Sequence, residues 1–183
     1  LNMLGLPTSY DTMLLAVENG IPITTLDEHP ELDIAIDGAD QIDPKLNLIK
    51  GGGAALTKEK IVDSAAKQLI IIVDETKLTE TLGKKHHVPI EVLPFATQGV
   101  MRKIRELNGK PTLRKAVGKV GPLITDNGNF IIDADFGPIE DPKKLETQLK
   151  LIPGIIETGL FIEMADIAYV GYKIGLKILK RAK

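Results

Sequence analysis

The feature that most constrains the fold is an alternation of strand-like and helix-like segments in the first half of the chain. Residues 69–73 read Leu-Ile-Ile-Ile-Val, a largely β-branched run typical of a strand buried on both faces of a parallel sheet. A helical pattern over 54–68 precedes this run, and a short apolar strand over 33–37 precedes the helix. Strand, helix and strand in this order predict an α/β domain with a parallel sheet.

The middle of the chain has a different pattern, which reads β-α-β-β-α-β. This order is that of the split βαβ, or ferredoxin-like, unit. Asn127-Gly128 lies before its third strand and is a strong hairpin signal. The predicted segments are strand 88–92, helix 97–107, strand 111–117, strand 130–136, helix 141–151 and strand 155–162.

This change of pattern predicts two domains. A Rossmann-like main domain with a parallel sheet covers 1–84 and 162–183, and we expect it to be completed by a strand over 166–170 and a terminal helix from Lys173. A small α+β domain over 85–161 is inserted into it. The chain begins Leu-Asn-Met-Leu-Gly, without an initiator methionine. We therefore expect it to enter the main domain partway, with the N-terminal part missing.

Composition excludes several classes of function. The net charge is −2, whereas a nucleic-acid-binding face normally shows a basic excess, so we expect no nucleic acid partner. The absence of cysteine excludes disulfides, thiolate metal sites and a cysteine nucleophile. No apolar run reaches the roughly 18 residues of a membrane span, and no signal peptide is recognisable. We therefore expect a cytoplasmic protein without a membrane partner.

Acidic residues begin a chemically suggestive stretch at the end of the first predicted strand. The carboxyl ends of parallel strands are where open α/β sheets bind ligands, so Asp37 and Asp40 would face such a crevice. An Asp-rich turn that caps its own backbone is the alternative. A cation loop that includes Asp43 is another, although the twelfth position counted from Asp37 is Leu48, which an EF-hand does not allow.

A lysine and three glycines follow, just before the predicted helix. The amides of Gly51, Gly52 and Gly53 would approach an anion closely, and the helix start adds positive potential. The pattern is neither a Walker loop nor a dinucleotide fingerprint, and a flexible turn is the alternative. We expect Glu59 about two turns into the helix, where it would either be solvated or point at a carbon held beside Lys50.

A base, a cation and an amide pocket together indicate proton abstraction next to a carbonyl. The developing enediolate needs electrostatic stabilisation, and a carboxylate moves the proton. The sequence contains no histidine cluster of the kind that binds a metal. His86 and His87 are adjacent, so along a strand they would point to opposite sides, and we expect them on the surface.

Three motifs in order resemble the type A ribose-5-phosphate isomerase family, and the similarity runs nearly end to end. The resemblance implies interconversion of ribose 5-phosphate and ribulose 5-phosphate in the pentose phosphate pathway, without metal or cofactor, by a homodimer or homotetramer. The motifs are Asp-Gly-Ala-Asp at 37–40, Leu-Ile-Lys-Gly-Gly-Gly-Ala-Ala-Leu-Thr-Lys-Glu-Lys-Ile at 48–61 and Val-Asp-Glu-Thr-Lys at 73–77, with further agreement at 125–129, 152–154 and 159–161.

The resemblance also implies roles for four charged residues. Glu59 matches the base that moves a proton between C1 and C2 of the sugar. Asp37 matches the acid/base group linked to opening of the furanose ring. Asp40 and Lys50 match residues that bind the sugar oxygens and polarise the reacting centre.

The substrate-binding positions follow in the same way. Gly51, Gly52 and Gly53 would donate amides to the sugar, and Lys77 matches a lysine near the phosphate. The chain departs from the family pattern at Gln41, where the family usually has glutamate, and it lacks the family's Gly-Thr-Gly-Ser-Thr phosphate loop. We expect a protein that truly starts at Leu1 to be inactive for that reason.

Two other functions are compatible with such a sheet. A non-catalytic sugar-phosphate-binding regulator is the alternative from a different class, although the sequence has no recognisable helix-turn-helix. An amino-sugar-phosphate deaminase or a related lactonase is the alternative within enzymes. Ammonia release from glucosamine 6-phosphate would distinguish the deaminase.

Overall fold

The computed structural model describes residues 3–181, so the predicted entry into the main domain at Leu1 lies outside the described residues. The α-helices are α1 (Tyr10–Glu18), α2 (Leu56–Ala65), α3 (Thr97–Glu106) and α4 (Pro142–Lys150). The strands are β1 (Ala35–Asp37), β2 (Gln41–Ile42), β3 (Leu48–Ile49), β4 (Leu69–Asp74), β5 (Val88–Val92), β6 (Lys110–Leu113), β7 (Phe130–Asp135), β8 (Ile155–Thr158), β9 (Leu160–Phe161), β10 (Ile167–Gly171) and β11 (Leu176–Lys180).

The first sheet contains the alternating strands of the sequence pattern and confirms the α/β class. Its strand order is β1-β4-β10-β11, and β4 runs parallel to both β1 and β10. Leu69, Ile71 and Val73 of β4 are buried, whereas Ile72 on the other face is 56% exposed. The predicted burial of β4 on both faces is therefore wrong for this chain, because one face of the strand is only partly covered.

The end of the chain corrects a second prediction. A strand, β11, stands where we predicted a terminal helix from Lys173, and it pairs antiparallel with β10. The connection is a tight turn in which the Tyr172 amide donates to the Gly175 carbonyl at 3.1 Å. Gly175 has a φ of 92°, which favours glycine and ends any helix at that point.

The predicted β-α-β-β-α-β unit forms a second four-stranded sheet. Its order is β6-β7-β5-β8, all neighbouring strands are antiparallel, and α3 and α4 supply the helices. The Asp141 side chain accepts a hydrogen bond from the Lys144 amide, so it caps α4 as its position before Pro142 indicates. No helix within residues 3–181 has the length and apolar character required for crossing a bilayer.

A third, three-stranded sheet joins the other two. It has the order β2-β3-β9, and it arises because the predicted strand over 155–162 is split at Gly159 into β8 and β9. The Gly159 amide donates to the Pro89 carbonyl at 2.7 Å, and the Gly159 carbonyl accepts from the Lys50 amide at 2.9 Å. A Cβ at this position would lie 2.2 Å from the Lys50 carbonyl oxygen, so only glycine allows the two strands to approach this closely.

Two hydrophobic cores fill the space around these sheets. The first contains β4 and β10 residues together with Ile131 and Phe161, and the second contains the inner residues of β5 and α3 together with Ile49 and Leu82. Each core thus contains residues from both predicted domains, on either side of the boundaries at 85 and 161. The division into a main and a small domain at those positions stays a prediction.

Candidate active site

A buried lysine is the centre of the candidate site. Lys50 follows β3 and is 3% exposed, and its backbone amide is held by the Gly159 carbonyl. Its Nζ donates to the Gly38 carbonyl at 2.8 Å and lies 2.8 Å from Asp37 Oδ2 and 3.2 Å from Glu59 Oε2. The structure therefore brings together three of the four predicted catalytic residues around one ammonium group.

These three side chains come from three different parts of the fold. Asp37 is the last residue of β1, at the carboxyl edge of the parallel sheet, and Lys50 comes from the joining sheet. Glu59 lies in the first turn of α2, not two turns into it as predicted. The helix starts late because Ala54 has a φ of 64° and belongs to a turn. A carboxylate in the first helical turn is stabilised by the helix dipole.

The ring of Phe161 adds to the environment of the lysine. Its centroid lies 5.3 Å from Lys50 Nζ and 4.8 Å from Lys60 Nζ. The negative face of an aromatic ring attracts a cation at such distances. Phe161 is completely buried in the first core, so it holds the ammonium group of Lys50 on a rigid apolar surface.

The charges of the cluster shift one another's protonation. Burial acts to lower the pKa of Lys50, but the charges of Glu59 and Asp37 outweigh it and raise that pKa, so the ammonium stays charged. Burial raises the pKa of Glu59, and Lys50 opposes this shift only in part. A carboxylate whose pKa lies above the usual range is a better proton acceptor near neutral pH.

A third carboxylate, which the sequence reasoning missed, lies beside the cluster. Asp63 is one helical turn after Glu59, is 5% exposed, and its Oδ2 is buried with no hydrogen-bond partner among residues 3–181. Burial and the charge of Asp37 raise the pKa of Asp63 to about 7. Asp37 and Asp63 line the same cavity of about 270 Å³. The spacing of four residues from Glu59 is the signal that could have revealed Asp63, because it puts both on one helix face.

Asp40 and the glycine turn form the other wall of the site. The Asp40 carboxylate accepts a hydrogen bond from the Gly52 amide at 2.8 Å, and a Cβ on Gly52 would lie 2.9 Å from Asp40 Oδ1. Gly51 is buried, while Gly52 and Gly53 are exposed. The three glycines thus form a turn beside Asp40, and one amide of that turn is bonded to the Asp40 carboxylate.

Arg114 holds this turn from the opposite sheet, and nothing in the sequence pattern indicated it. Its Nη1 donates to the carbonyls of Gly51 at 2.9 Å and Gly52 at 3.0 Å. Its other guanidinium nitrogens donate to the Asp133 carboxylate at 2.8 and 2.5 Å. Two-pronged pairing of this kind fixes a guanidinium in one orientation. Arg114 therefore directs the carbonyls of the turn toward itself.

The structure does not bring every candidate into the cluster. Lys77 lies in a short helical turn that follows β4 at the carboxyl edge of the first sheet, and no contact described for residues 3–181 joins it to Lys50. The Asp43 carboxylate instead accepts from the Lys45 and Asn47 amides, so it caps its own turn. Within the described part of the chain, no group of three or more histidine or acidic side chains is arranged to hold a metal ion.

The structure also gives the positions of Gln41 and of the two adjacent histidines. Gln41, where the family usually has glutamate, is 1% exposed, and its Oε1 accepts from the Gly83 amide at 2.8 Å. It therefore links β2 to the chain at Gly83, and no side-chain hydrogen bond described for residues 3–181 joins it to the charged cluster. His86 and His87 are exposed, as their adjacent positions predicted.

Comparison with known proteins agrees with the geometry. The sequence profile of ribose 5-phosphate isomerase A (phosphoriboisomerase A) matches residues 4–175. A ribose-5-phosphate isomerase A from Methanosarcina acetivorans is 55% identical over 100% of this chain and 77% of its own length. One from Pyrococcus abyssi is 52% identical over 98% of this chain and 79% of its own length.

Solved structures show the same similarity in three dimensions. The ribose 5-phosphate isomerase A of Methanocaldococcus jannaschii superposes with a TM-score of 0.94 at 46% identity, over 98% of this chain and 79% of that chain. A D-ribose-5-phosphate isomerase in complex with phospho-erythronic acid superposes with a TM-score of 0.96 at 51% identity, over 99% and 79%. With a profile match over nearly its whole length and relatives above half identity, the chain belongs to the ribose 5-phosphate isomerase A family.

Proposed function

We propose that the protein interconverts D-ribose 5-phosphate and D-ribulose 5-phosphate as an aldose–ketose isomerase of the pentose phosphate pathway. Membership of the family supports this activity. The observation that carries the mechanism is the contact of the Lys50 ammonium with the carboxylates of Asp37 and Glu59. A related isomerase binds phospho-erythronic acid, a phosphorylated sugar acid, which fits a substrate of the same chemical class.

Glu59 is the base in this mechanism. Its carboxylate takes the proton from C2 of the open-chain aldose, and the electron pair of that C–H bond forms the C1–C2 double bond of an enediolate. The hydroxyl proton moves from O2 to O1 of the enediolate, and return of the carbon-bound proton to C1 gives the 2-ketose, so no atom is gained or lost. Partial burial, with 17% of the side chain exposed, raises the pKa of Glu59 and leaves the carboxylate open to a ligand.

Lys50 stabilises the negative charge that develops on the oxygens of the enediolate. The ammonium is held by the Gly38 carbonyl and by Phe161, so it is oriented before the substrate arrives. Preorganised charge of this kind is usually the largest single contribution to catalysis. Asp40 and the amides of the glycine turn bind the sugar oxygens on the other side of the reacting carbons.

Two further roles complete the proposal. Asp37 exchanges a proton with the ring oxygen or the anomeric hydroxyl when the furanose opens, and its Oδ2 lies 2.8 Å from the Lys50 ammonium. Lys77 binds the phosphate from the carboxyl edge of the first sheet. The edge is the usual ligand site of an open α/β sheet.

The test is ribulose 5-phosphate formation from ribose 5-phosphate by the complete gene product that contains these residues, with EDTA present. We expect turnover that EDTA does not reduce. Binding of the sugar phosphate without turnover would overturn the isomerase activity and favour the non-catalytic sugar-phosphate-binding regulator. Loss of turnover in EDTA, restored by a divalent ion, would contradict the metal-independent mechanism.

Glu59→Gln tests the base directly. We expect kcat to fall by about 10²–10⁴-fold with KM nearly unchanged, because the amide keeps the shape of the side chain and cannot accept the proton. Glu106→Gln on the exposed end of α3 is the matched control and should retain wild-type kcat. Unchanged kcat in Glu59→Gln would show that another group moves the proton.

We also propose that the protein assembles into a homodimer or homotetramer. Phe95, Val117 and Val120 are essentially fully exposed, and burial of apolar surface of this kind favours association. Light scattering after size-exclusion chromatography should give two or four times the chain mass. A monomer would refute the assembly. The cytoplasmic location stays a prediction from the sequence.

A further inference from the structure

A buried carboxylate outside the active site connects the second four-stranded sheet to the helix that carries Glu59. Glu91 lies on β5, between β7 and β8, and is 0% exposed. Burial of a carboxylate is unfavourable unless hydrogen bonds replace its water shell. The mechanism above gives Glu91 no contact with the substrate, so its place in the core has no explanation in the chemical steps.

The two carboxylate oxygens of Glu91 accept hydrogen bonds from two different parts of the fold. Oε2 accepts a hydrogen bond from the Thr57 hydroxyl of α2 at 2.5 Å. Oε1 accepts from the Thr125 hydroxyl at 2.8 Å, the Asn127 amide at 3.0 Å and the Asn129 amide at 2.9 Å. All four donors are neutral side-chain groups. The carboxylate thus bridges α2 and the turn that leads into β7.

The Thr57 bond belongs to a pair of polar anchors around Glu59. Thr57 lies two residues before Glu59 in the first turn of α2. Lys60 lies one residue after Glu59. The Lys60 Nζ donates to the Leu160 carbonyl at 2.6 Å and to Glu157 Oε1 at 2.9 Å. Because directional bonds hold the helix on both sides of Glu59, the first turn cannot rotate about its axis without breaking one of them.

We propose that Glu91 is a positioning residue of the isomerase, which acts through Thr57 to hold Glu59 against Lys50. The inference rests on the function proposed above. A base that is misplaced by about 1 Å loses on the order of 10²-fold in rate. Lys50 and the glycine turn are held by other contacts, to Gly159 and Arg114, so substrate affinity does not depend on the Thr57 bond.

Two matched variants separate positioning from simple stabilisation. Thr57→Val and Thr125→Val each replace a buried hydroxyl that donates to Glu91 by a methyl group of similar size. We expect Thr57→Val to lower kcat about tenfold or more with KM within about twofold of wild type. We expect Thr125→Val to keep kcat within about twofold, although urea unfolding shows a loss of stability at least as large as for Thr57→Val, because the Thr125 hydroxyl also accepts from the Asn127 and Asn129 backbone amides.

Two more substitutions at position 57 keep the inference testable if Thr57→Val fails to fold. Thr57→Ala also removes the hydroxyl and should lower kcat in the same way, whereas Thr57→Ser retains it and should recover most of the wild-type kcat. Equal kcat in the hydroxyl-free variants and Thr125→Val would overturn the inference, as would an impaired Thr57→Ser. Wild-type protein without turnover in the same assay would instead refute the proposed function itself.

Discussion

Replacing Asp63 by asparagine tests how the buried charge cluster sets stability. The Asp63 carboxyl has an ordinary pKa of 3.8 in the unfolded chain and a pKa of about 7 in the folded protein. The native state therefore holds the proton more tightly, and stability decreases as the pH rises through this window. At 1.36 kcal/mol per pKa unit, the decrease from pH 3.8 to above 7 amounts to about 4 kcal/mol.

Asparagine cannot ionise, so Asp63→Asn removes this decrease. We expect the variant to gain little over wild type at pH 4, about 1.6 kcal/mol at pH 5 and about 4 kcal/mol at pH 8. Urea unfolding followed by circular dichroism at each pH gives the free energies. Ser64→Ala is the control, since that exposed side chain next to Asp63 carries no titratable group, and its difference from wild type should not grow with pH. A constant difference between Asp63→Asn and wild type across the range would refute the reasoning.

Two other substitutions probe the site itself. Lys50→Ala should lower kcat, raise KM and reduce the free energy of unfolding by about 3–5 kcal/mol. The reason is that it leaves two partly buried carboxylates without their cation. Unchanged stability in urea would contradict this expectation. Gly52→Ala should lower kcat/KM about tenfold, because its Cβ displaces the Asp40 carboxylate. Gly99→Ala on α3 is the control for Gly52→Ala, because a Cβ there meets no atom of residues 3–181 within 4 Å, and equal activity of the two variants would contradict the steric argument.

Much of the site could be predicted because its residues are close in sequence. Asp37, Lys50 and Glu59 lie within 23 residues, in motifs that resemble those of the family. Because Asp37 ends a strand of a parallel sheet, its side chain lies at the carboxyl edge where such sheets bind ligands, and this position does not depend on the rest of the fold. The type of each element was also largely predictable, as the cap of α4 at Asp141 shows.

Three of the predictions that were wrong concern places where a backbone conformation or a close approach of two strands overrides the local pattern. The periodicity of the last residues suits a helix, but Gly175 turns the chain so that β11 pairs with β10. The run over 155–162 reads as one strand, yet the close approach of Gly159 to Lys50 divides it between two sheets. The late start of α2 moves Glu59 into the first turn because Ala54 is in a left-handed conformation.

The sequence by itself determined which chemical groups the site contains and the class of sheet that carries them, because motifs and periodicity are local properties of the chain. Only the tertiary structure decided what surrounds those groups. Arg114 reaches the glycine turn across 63 positions of sequence, and Glu91 reaches Thr57 across 34. Burial likewise raises the pKa of Asp63, and burial is a property of the folded molecule. Contacts of such long range depend on how the three sheets pack, and no local pattern encodes that arrangement.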